Sequence, residues 1–496
     1  MELGRSPEKE LCRHATDRSI TDFGYGFNTM QDPVWTLSQV LMATGGRFVS
    51  GSADAKFRAI STDTRTLQPG DLFLALSGDR FDGEQFVAEA VKKGAAGVLV
   101  SSLPTIDLPV PVILVSEPLH ALGDLASYRR ALMANLQVIA ITGSSGKTTV
   151  KEMCASILKQ EYNVLKTEGN LNNLIGMPLS LLRVDSRHDV AVLEMGMNRP
   201  GEIARMTEIA DPDIACIINV HGAHLAGLQT IDGVARAKGE LFQGGKSWAK
   251  FCVNIDDKRV RALARECPQE QISFGMGCKA YVRATHVKNL GEEGMLFTLH
   301  VGKRKSRIHL HGIGEHNVGN ALAAAAMAHA AGADIDHIVS GLVAFRPYDK
   351  RLQVVTVGGL KVVNDCYNAN PSSMLAALNA VSGMKKNRKI VAVLGDMLEL
   401  GDESEKAHRR LGETVACKGF DYLLAVGEFS RKVVEGALDA RMTMKQARQM
   451  ENKEEIVDSI VKLVALGELE QGDYVLVKGS RGMRMETIIE QLGTRL

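Results

Sequence analysis

Val138-Ile-Ala-Ile141 runs directly into Thr142-Gly-Ser-Ser-Gly-Lys-Thr-Thr149, and the reading of this stretch decides the fold. A continuous apolar run that ends at glycine reads as a strand buried on both faces of a parallel sheet. Behind it, Val150, Met153, Cys154, Ile157 and Leu158 recur at helical spacing, so a helix follows with one face packed on that sheet. Strand, glycine-rich turn and helix open a βαβ unit, and in that setting the turn is a phosphate loop. Glycines let backbone N–H groups curl around phosphate, and the helix N-terminus adds positive potential. Lys147 then neutralises the outer phosphates, and Thr148 offers a hydroxyl to Mg²⁺. Gly143, Ser144, Ser145, Gly146, Lys147, Thr148 and Thr149 are therefore candidate nucleotide ligands. The loop departs from G-x-x-x-x-G-K-[ST] at one place, because Ile141 stands where the first glycine belongs and the chain has Gly143 instead. A chance Gly-Ser turn is the alternative, and the flanking strand and helix weigh against it.

Outward from the loop the alternation continues. Apolar strands at Val190-Ala-Val-Leu193 and Ile214-Ala-Cys-Ile-Ile218, separated by helical patterns, extend a doubly wound sheet through about residue 343. Upstream, a turn at Gln68-Pro-Gly-Asp71 precedes the apolar Leu72-Phe-Leu-Ala-Leu76, so 35–134 reads as a smaller α/β domain. Beyond Pro347, strands at 360–363, 389–394, 422–426 and 474–477 alternate with helical patterns and make a third, Rossmann-like α/β domain. The expected plan is α/β throughout: 35–134, a central P-loop domain at 135–346, and a C-terminal domain at 347–496. Residues 1–34, rich in Arg, Glu, Asp and His, lack the apolar core of a signal peptide and read as a disordered extension, with Met30 as a candidate start. The small-residue run 321–333, interrupted by His329, is a buried helix well short of the ~20 residues of a membrane span.

Composition agrees. At 496 residues the chain suits about three domains of roughly 150 residues each. With 59 Lys+Arg against 58 Asp+Glu, the net charge of +1 supplies no global field to hold nucleic acid or anionic lipid, so neither is expected as a partner. Its eight cysteines contain no Cys-x-x-Cys pair, and read as reduced thiols of a cytoplasmic protein rather than a zinc or redox site.

Other residues carry candidate chemistry. Glu194 ends the strand 190–193, where the carboxyl edge of the sheet presents it beside the phosphate loop; it is either a Mg²⁺ ligand or a solvated strand end, and the loop upstream favours metal. His224 in Ala223-His-Leu225 and Lys238 in Ala235-Arg-Ala-Lys-Gly-Glu240 follow another sheet strand, but spacing alone makes them no more than a packed His and a solvated Lys. Two Asn-rich clusters, Thr167-Glu-Gly-Asn-Leu-Asn-Asn173 and Gly314-Glu-His-Asn-Val-Gly-Asn320, are either helix caps or ligand contacts. A third, Asp365-Cys-Tyr-Asn-Ala-Asn-Pro-Ser-Ser373, follows a sheet strand directly, and its polar crowding exceeds what a turn needs.

Taken together these stretches resemble the Mur ligase family, from about Trp35 to Leu496. Thr62-Asp-Thr-Arg65 with Gly78-Asp-Arg-Phe-Asp-Gly83, the 143–149 loop, 167–173, Leu193-Glu-Met-Gly196, Ala223-His-Leu225, Ala237-Lys-Gly-Glu240, His316-Asn-Val-Gly-Asn320, 365–371 and Lys478-Gly-Ser-Arg-Gly-Met-Arg-Met-Glu486 fall in the family's order. The Tyr-Asn-Ala-Asn-Pro of 367–371, the Gly-Asp-Met-Leu-Glu-Leu-Gly of 395–401 and 478–486 are similar to the dipeptide-adding branch, and the Asp-Asn-Pro-Arg motif of the diaminopimelate-adding branch is absent. Ala226 stands where the family often has Glu, and His221-Gly222 precedes the motif unusually.

The resemblance implies a monomeric, ATP-dependent amide ligase that joins D-alanyl-D-alanine to UDP-N-acetylmuramoyl-tripeptide through an acyl phosphate, for peptidoglycan precursor synthesis. It implies that Lys147 stabilises the moving phosphoryl group, that Thr148 and Glu194 hold one Mg²⁺, and that His224 helps hold a second. Lys238 matches a lysine that CO₂ carbamylates into an anionic metal ligand. Asn317, Asn320, Arg351 and Asp365 match nucleotide contacts. Thr62, Asp63, Thr64 and Arg65 fall where uridine is expected, and Thr167, Asn170, Asn172 and Asn173 fall near the muramoyl peptide. Substrates spread over three domains require closure, so Arg351 and Asp365 are expected to stand away from Lys147 before substrates draw the domains together. Two other readings compete: another Mur-type or folylpolyglutamate-type amino-acid ligase, and a P-loop ATPase switch. The switch explains little beyond 143–149, and Asn452-Lys-Glu-Glu455 lacks the Asp with which a guanine-specific switch reads its base.

Overall fold

Three main sheets organise the chain in a computed structural model that describes residues 34–78, 81–222, 225–347 and 349–496. The extension at 1–33, including Met30, lies outside the described residues.

The central sheet runs in the order Val164–Lys166, Val190–Glu194, Gln137–Thr142, Ile214–Ile217, Lys250–Asn254, Glu270–Gly275, Val282–Asn289, Met295–Val301, Arg304–Leu310. Gln137–Thr142 lies between two parallel neighbours and buries Val138 to Thr142 completely, which is why the sequence shows apolar residues without alternation. Its register pairs Ile141 with Glu194, so the carboxylate emerges beside the start of the phosphate loop. The helix Lys147–Leu158 then packs Val150, Met153, Cys154, Ile157 and Leu158 against the sheet, as their spacing requires. Across it lies the helix His316–Ala330, buried almost throughout; its alanines allow close approach. Gly146 caps the first of these helices at φ 82°, and a Cβ there would lie 2.5 Å from Asn320 Oδ1, so the position needs glycine twice over.

The last two strands of this doubly wound sheet run antiparallel. Met295–Val301 pairs antiparallel with Val282–Asn289 on one side and with Arg304–Leu310 on the other. Met295, Phe297, Leu299 and Val301 point inward at every second position while Leu296, Thr298 and His300 are half-exposed, the period-two pattern of a sheet with one wet face.

The N-terminal sheet orders Arg47–Ser50, Val112–Leu114, Gly97–Val100, Leu72–Leu74 and Ile60–Ser61. Its core is continuous with the central domain: Trp35, Leu72 and Leu125 belong to the same buried cluster as Val138, Leu193 and Phe251. The C-terminal sheet orders Gln353–Val357, Leu360–Asp365, Tyr474–Lys478, Ile390–Leu394, Tyr422–Val426 and Ala447–Met450, parallel except for the first pair. Both of its faces are covered, so Ile390–Leu394 and Tyr474–Lys478 are buried along their whole length. Among the described residues no helix is long and apolar enough to cross a membrane.

Candidate active site

The carboxyl edges of the central and C-terminal sheets face one cleft of about 1200 Å³. Ser144, Ser145, Gly146, Lys147, Thr148 and Thr149 line its floor, and Arg351, Asp365, Tyr367 and Lys478 line the opposite wall. Its lining mixes both signs of charge: Lys147 and Arg351 suit the phosphates of a ligand, and carboxylates such as Glu194, Asp256 and Asp257 stand among the cations.

Glu194 is the node of the floor. Thr148 Oγ1 donates to its Oε2 at 2.9 Å, and Asn172 Nδ2 donates to its Oε1 at 2.8 Å. Its backbone N–H donates to Thr167 Oγ1 at 3.0 Å. Lys151, fully buried, stands 3.9 Å from the same carboxylate and donates to the Thr167 carbonyl at 2.6 Å. A hydroxyl and a carboxylate side by side are oxygen donors of the type Mg²⁺ takes, usually one or two from protein with the rest from phosphate and water. No cluster of three or more His, Cys, Asp or Glu suited to a metal occurs among the described residues.

Lys147 folds back so that its Nζ donates to the Gly143 carbonyl at 2.9 Å. Burial pushes its ammonium below the usual lysine range; Glu194 opposes that, and the Arg351 cation reinforces it. An anionic phosphoryl group would restore the charge there, the condition under which a fixed cation helps most. Asn219 holds the loop's opening turn: its Oδ1 accepts from the N–H groups of Ser144 at 3.1 Å and Ser145 at 3.0 Å.

Lys238 lies in the helix Ile231–Gln243, 1% exposed. It is not the solvated lysine that its spacing alone suggests. Burial holds its amine well below the ordinary lysine range, with Lys147 pushing the same way. His224 lies outside the described residues.

The Asn clusters divide. Asn370 caps the helix Pro371–Ser382, accepting from Ser373 N at 2.8 Å, and its Nδ2 also donates to the Ser144 carbonyl at 3.2 Å, joining the two domains. Asn173 accepts from Gly176 N at 2.8 Å and is a local turn former, although it lines the cleft with Asn170 and Asn172. Asn320 donates to Asn317, which donates to the Ile313 carbonyl, and both line the cleft beside Gly146. Thr167 supports Glu194 from beneath without lining the cleft. Thr62, Asp63, Thr64 and Arg65 are not brought to it either. They form a turn in the N-terminal domain, where Arg65 grips Asp63 and holds its carboxyl down to about 2.

The C-terminal domain reaches the phosphate loop. Arg351 Nη2 donates to Thr148 Oγ1 at 2.8 Å, and its guanidinium carbon lies 4.0 Å from the centre of the Tyr367 ring. The contact with Thr148 and that of Asn370 with Ser144 join the two domains. Asp365 is tied to Lys478 at 2.5 Å and accepts from Leu352 N at 3.2 Å. Burial raises the Asp365 carboxyl, against the opposing pull of Lys478 and Arg351. Lys151, Asn219 and Asn370 are site residues to which the sequence reading gave no role. For Asn370 the signal was present in the Asn-Pro-Ser-Ser cap, and for Lys151 only its place on the buried face of the phosphate-loop helix hinted at it.

A phosphate loop with a carboxylate at the neighbouring strand end, closed over by an arginine from a second α/β domain, defines an enzyme that works on a nucleoside triphosphate. Comparison with known proteins narrows the class. Residues 56–130 match the Mur ligase family catalytic domain, 141–328 the Mur ligase middle domain, and 350–481 the Mur ligase glutamate ligase domain. The chain belongs to the Mur ligase family. It is 36% identical over 470 residues to the UDP-N-acetylmuramoyl-tripeptide--D-alanyl-D-alanine ligase of Escherichia coli K12, covering 92% of this chain and 98% of that protein. With the protein of the same name from Bacillus subtilis it shares 36% over 436 residues, covering 87% and 92%. Among solved structures it is similar to MurF from Acinetobacter baumannii (TM-score 0.86, 36% identity, covering 93% and 99%). It is also similar to MurF from Thermotoga maritima in complex with ADP (TM-score 0.78, 27% identity, covering 88% and 97%).

Proposed function

We propose that this chain is the ligase that joins D-alanyl-D-alanine to UDP-N-acetylmuramoyl-tripeptide at the expense of ATP. The observation that carries the reading is the hydrogen-bonded chain Arg351, Thr148, Glu194, Asn172, which ties the C-terminal wall to the phosphate loop and to the 167–173 stretch. It is supported by relatives of that name matched over about nine-tenths of the chain. The domain limits 35–134, 135–346 and 347–496 belong to the same reading, and the grouping of the strands into three main sheets supports it.

A carboxylate is too poor an electrophile for an amine, so the peptide's terminal carboxylate first takes the γ-phosphoryl group of ATP and becomes an acyl phosphate. Lys147 and Arg351 then face the charge that spreads over the phosphoryl oxygens. The amine of D-alanyl-D-alanine attacks the acyl carbon, the tetrahedral intermediate expels phosphate, and an amide bond remains. Asn317 and Asn320 border the nucleotide side of the cleft, with Asp365 fixing Leu352 next to Arg351. The 62–65 turn is assigned to the uridine end, and Asn170, Asn172 and Asn173 to the peptide end.

Thr148 and Glu194 would hold one Mg²⁺, whose charge supplies Lewis-acid assistance at the phosphates. His224 is assigned to a second ion by the family resemblance alone. Lys238 fits a carbamylated role because burial shifts its amine in the direction of the neutral form, the form that is nucleophilic towards CO₂. A cytoplasmic setting is supported by seven described cysteines that are all free thiols. The test is an omission series. ADP release is measured with Mg-ATP, UDP-muramoyl-tripeptide and D-alanyl-D-alanine, each left out in turn, and the product is weighed by mass spectrometry. The reading requires release that depends on both acceptors and a product of pentapeptide mass; hydrolysis independent of both would return the switch reading.

A further inference from the structure

Arg351 is held by more than its bond to Thr148. The residues on either side of it, Lys350 at φ 59° and Leu352 at φ 52°, both occupy the left-handed region, which a branched residue such as leucine rarely enters. Such strain persists where the surroundings over-determine it. Here Leu352 N donates to Asp365 at 3.2 Å, Tyr367 N donates to the Lys350 carbonyl at 3.3 Å, and Lys350 Nζ reaches Glu486 at 3.0 Å. The guanidinium then has one face on the Tyr367 ring, its Nη2 on Thr148, and a buried Nε without a partner among the described residues. Tyr367 is thus bonded to the strained linker through its backbone and to the arginine through its ring.

We propose that Tyr367 is a positioning residue for the ligation reaction: its ring is the platform that turns the Arg351 guanidinium towards the nucleotide phosphates over Thr148. The inference rests on the reading of Arg351 given above. An arginine has many rotamers, and a flat aromatic face with cation–π attraction selects the one that keeps Nη2 and Nε in the cleft. Without the ring Arg351 is still present but spread over rotamers, so the cost falls on turnover of bound ATP more than on its binding.

The experiment is a double-mutant cycle on the full-length chain, with initial rates of ADP release measured across ATP concentrations at saturating acceptors. Tyr367→Leu is expected to lower kcat about tenfold with a smaller change in KM for ATP. Tyr367→Phe, which keeps the ring, is expected to recover most of that loss. In an Arg351→Ala background, Tyr367→Leu should cost less than about twofold, because the residue it served is gone. Tyr367 is half-buried, and Tyr367→Gln replaces the leucine variant if the latter does not fold. Full additivity of the two losses, or a phenylalanine variant no better than leucine, overturns the positioning role while leaving Arg351 on the nucleotide. An Arg351→Ala chain with undiminished turnover overturns the nucleotide reading and the inference together.

Discussion

Replacing Lys478 by methionine leaves the Asp365 carboxylate in the C-terminal wall without its partner. The lysine side chain is 2% exposed and that of Asp365 13%, and they meet at 2.5 Å. Removing one member of a buried ion pair typically costs ~3–5 kcal/mol. Loss of the Lys478 bond to the Asn368 carbonyl, 3.0 Å long, adds about 1 kcal/mol. Methionine returns part through its apolar stem, so a net loss of about 3 kcal/mol is expected at pH 7.5. The pH dependence carries a sign. Burial already raises the Asp365 carboxyl above 3.8, and without Lys478 it rises further. An acid with a raised folded pKa binds more protons folded than unfolded, so the variant's stability is greatest below that window and is lost as pH rises through it. The deficit against the parent should therefore shrink towards about pH 4 and be full at neutrality. Both tryptophans, Trp35 and Trp248, lie outside this domain, so fluorescence is a poor probe of it. Amide hydrogen exchange in Leu360–Asp365 and Tyr474–Lys478, corrected for intrinsic rates, reads the local opening free energy directly. A loss under about 1 kcal/mol at pH 7.5, or one that does not change with pH, would refute the account of this pair.

Lys238→Ala should abolish ligation while leaving far-UV circular dichroism unchanged, with added bicarbonate unable to restore it; full activity would remove Lys238 from the site. Glu194→Gln keeps the shape that meets Thr148 and Asn172 but drops the charge, so the Mg²⁺ needed for half-maximal ADP formation should rise at least about tenfold, and an unchanged Mg²⁺ dependence excludes Glu194 as a ligand. Asp213 accepts from Arg130 Nη2 at 3.1 Å, Val138 N at 2.8 Å and Lys246 Nζ at 3.0 Å; Asp213→Ala takes this acceptor from all three, although Lys246 keeps Asp211 at 2.9 Å and Arg130 keeps the Met133 carbonyl. Thermal unfolding should report a loss of about 2 kcal/mol, and an unshifted transition would count against this junction at the base of the phosphate-loop strand.

What was legible in the sequence was local. The strand before the phosphate loop, the helix after it and Glu194 at the neighbouring strand end follow from short-range pattern, and the parallel register then brings Glu194 to Ile141 without further information. Lys238 was legible only by resemblance, though its place on the helix stripe with Val234, Ala237 and Leu241 marks a lysine set where apolar residues belong. The antiparallel strands at 295–310 carry a plain period-two alternation that the parallel reading passed over. Arg351 meets Thr148 across 203 positions of sequence, a contact that no local pattern encodes. Such a contact is a property of two assembled surfaces rather than of any motif. The turn 62–65 shows the converse: a recognisable motif that lies apart from the cleft.

The central claim is that ATP activates the peptide's carboxylate before the amine attacks, and one measurement addresses it most directly. Ligation is run with both oxygens of the tripeptide's terminal carboxylate labelled with oxygen-18, and the released phosphate is weighed. Transfer of the γ-phosphoryl group to that carboxylate followed by expulsion of phosphate predicts phosphate carrying a single labelled oxygen for each amide formed. Unlabelled phosphate alongside an intact pentapeptide product would contradict it.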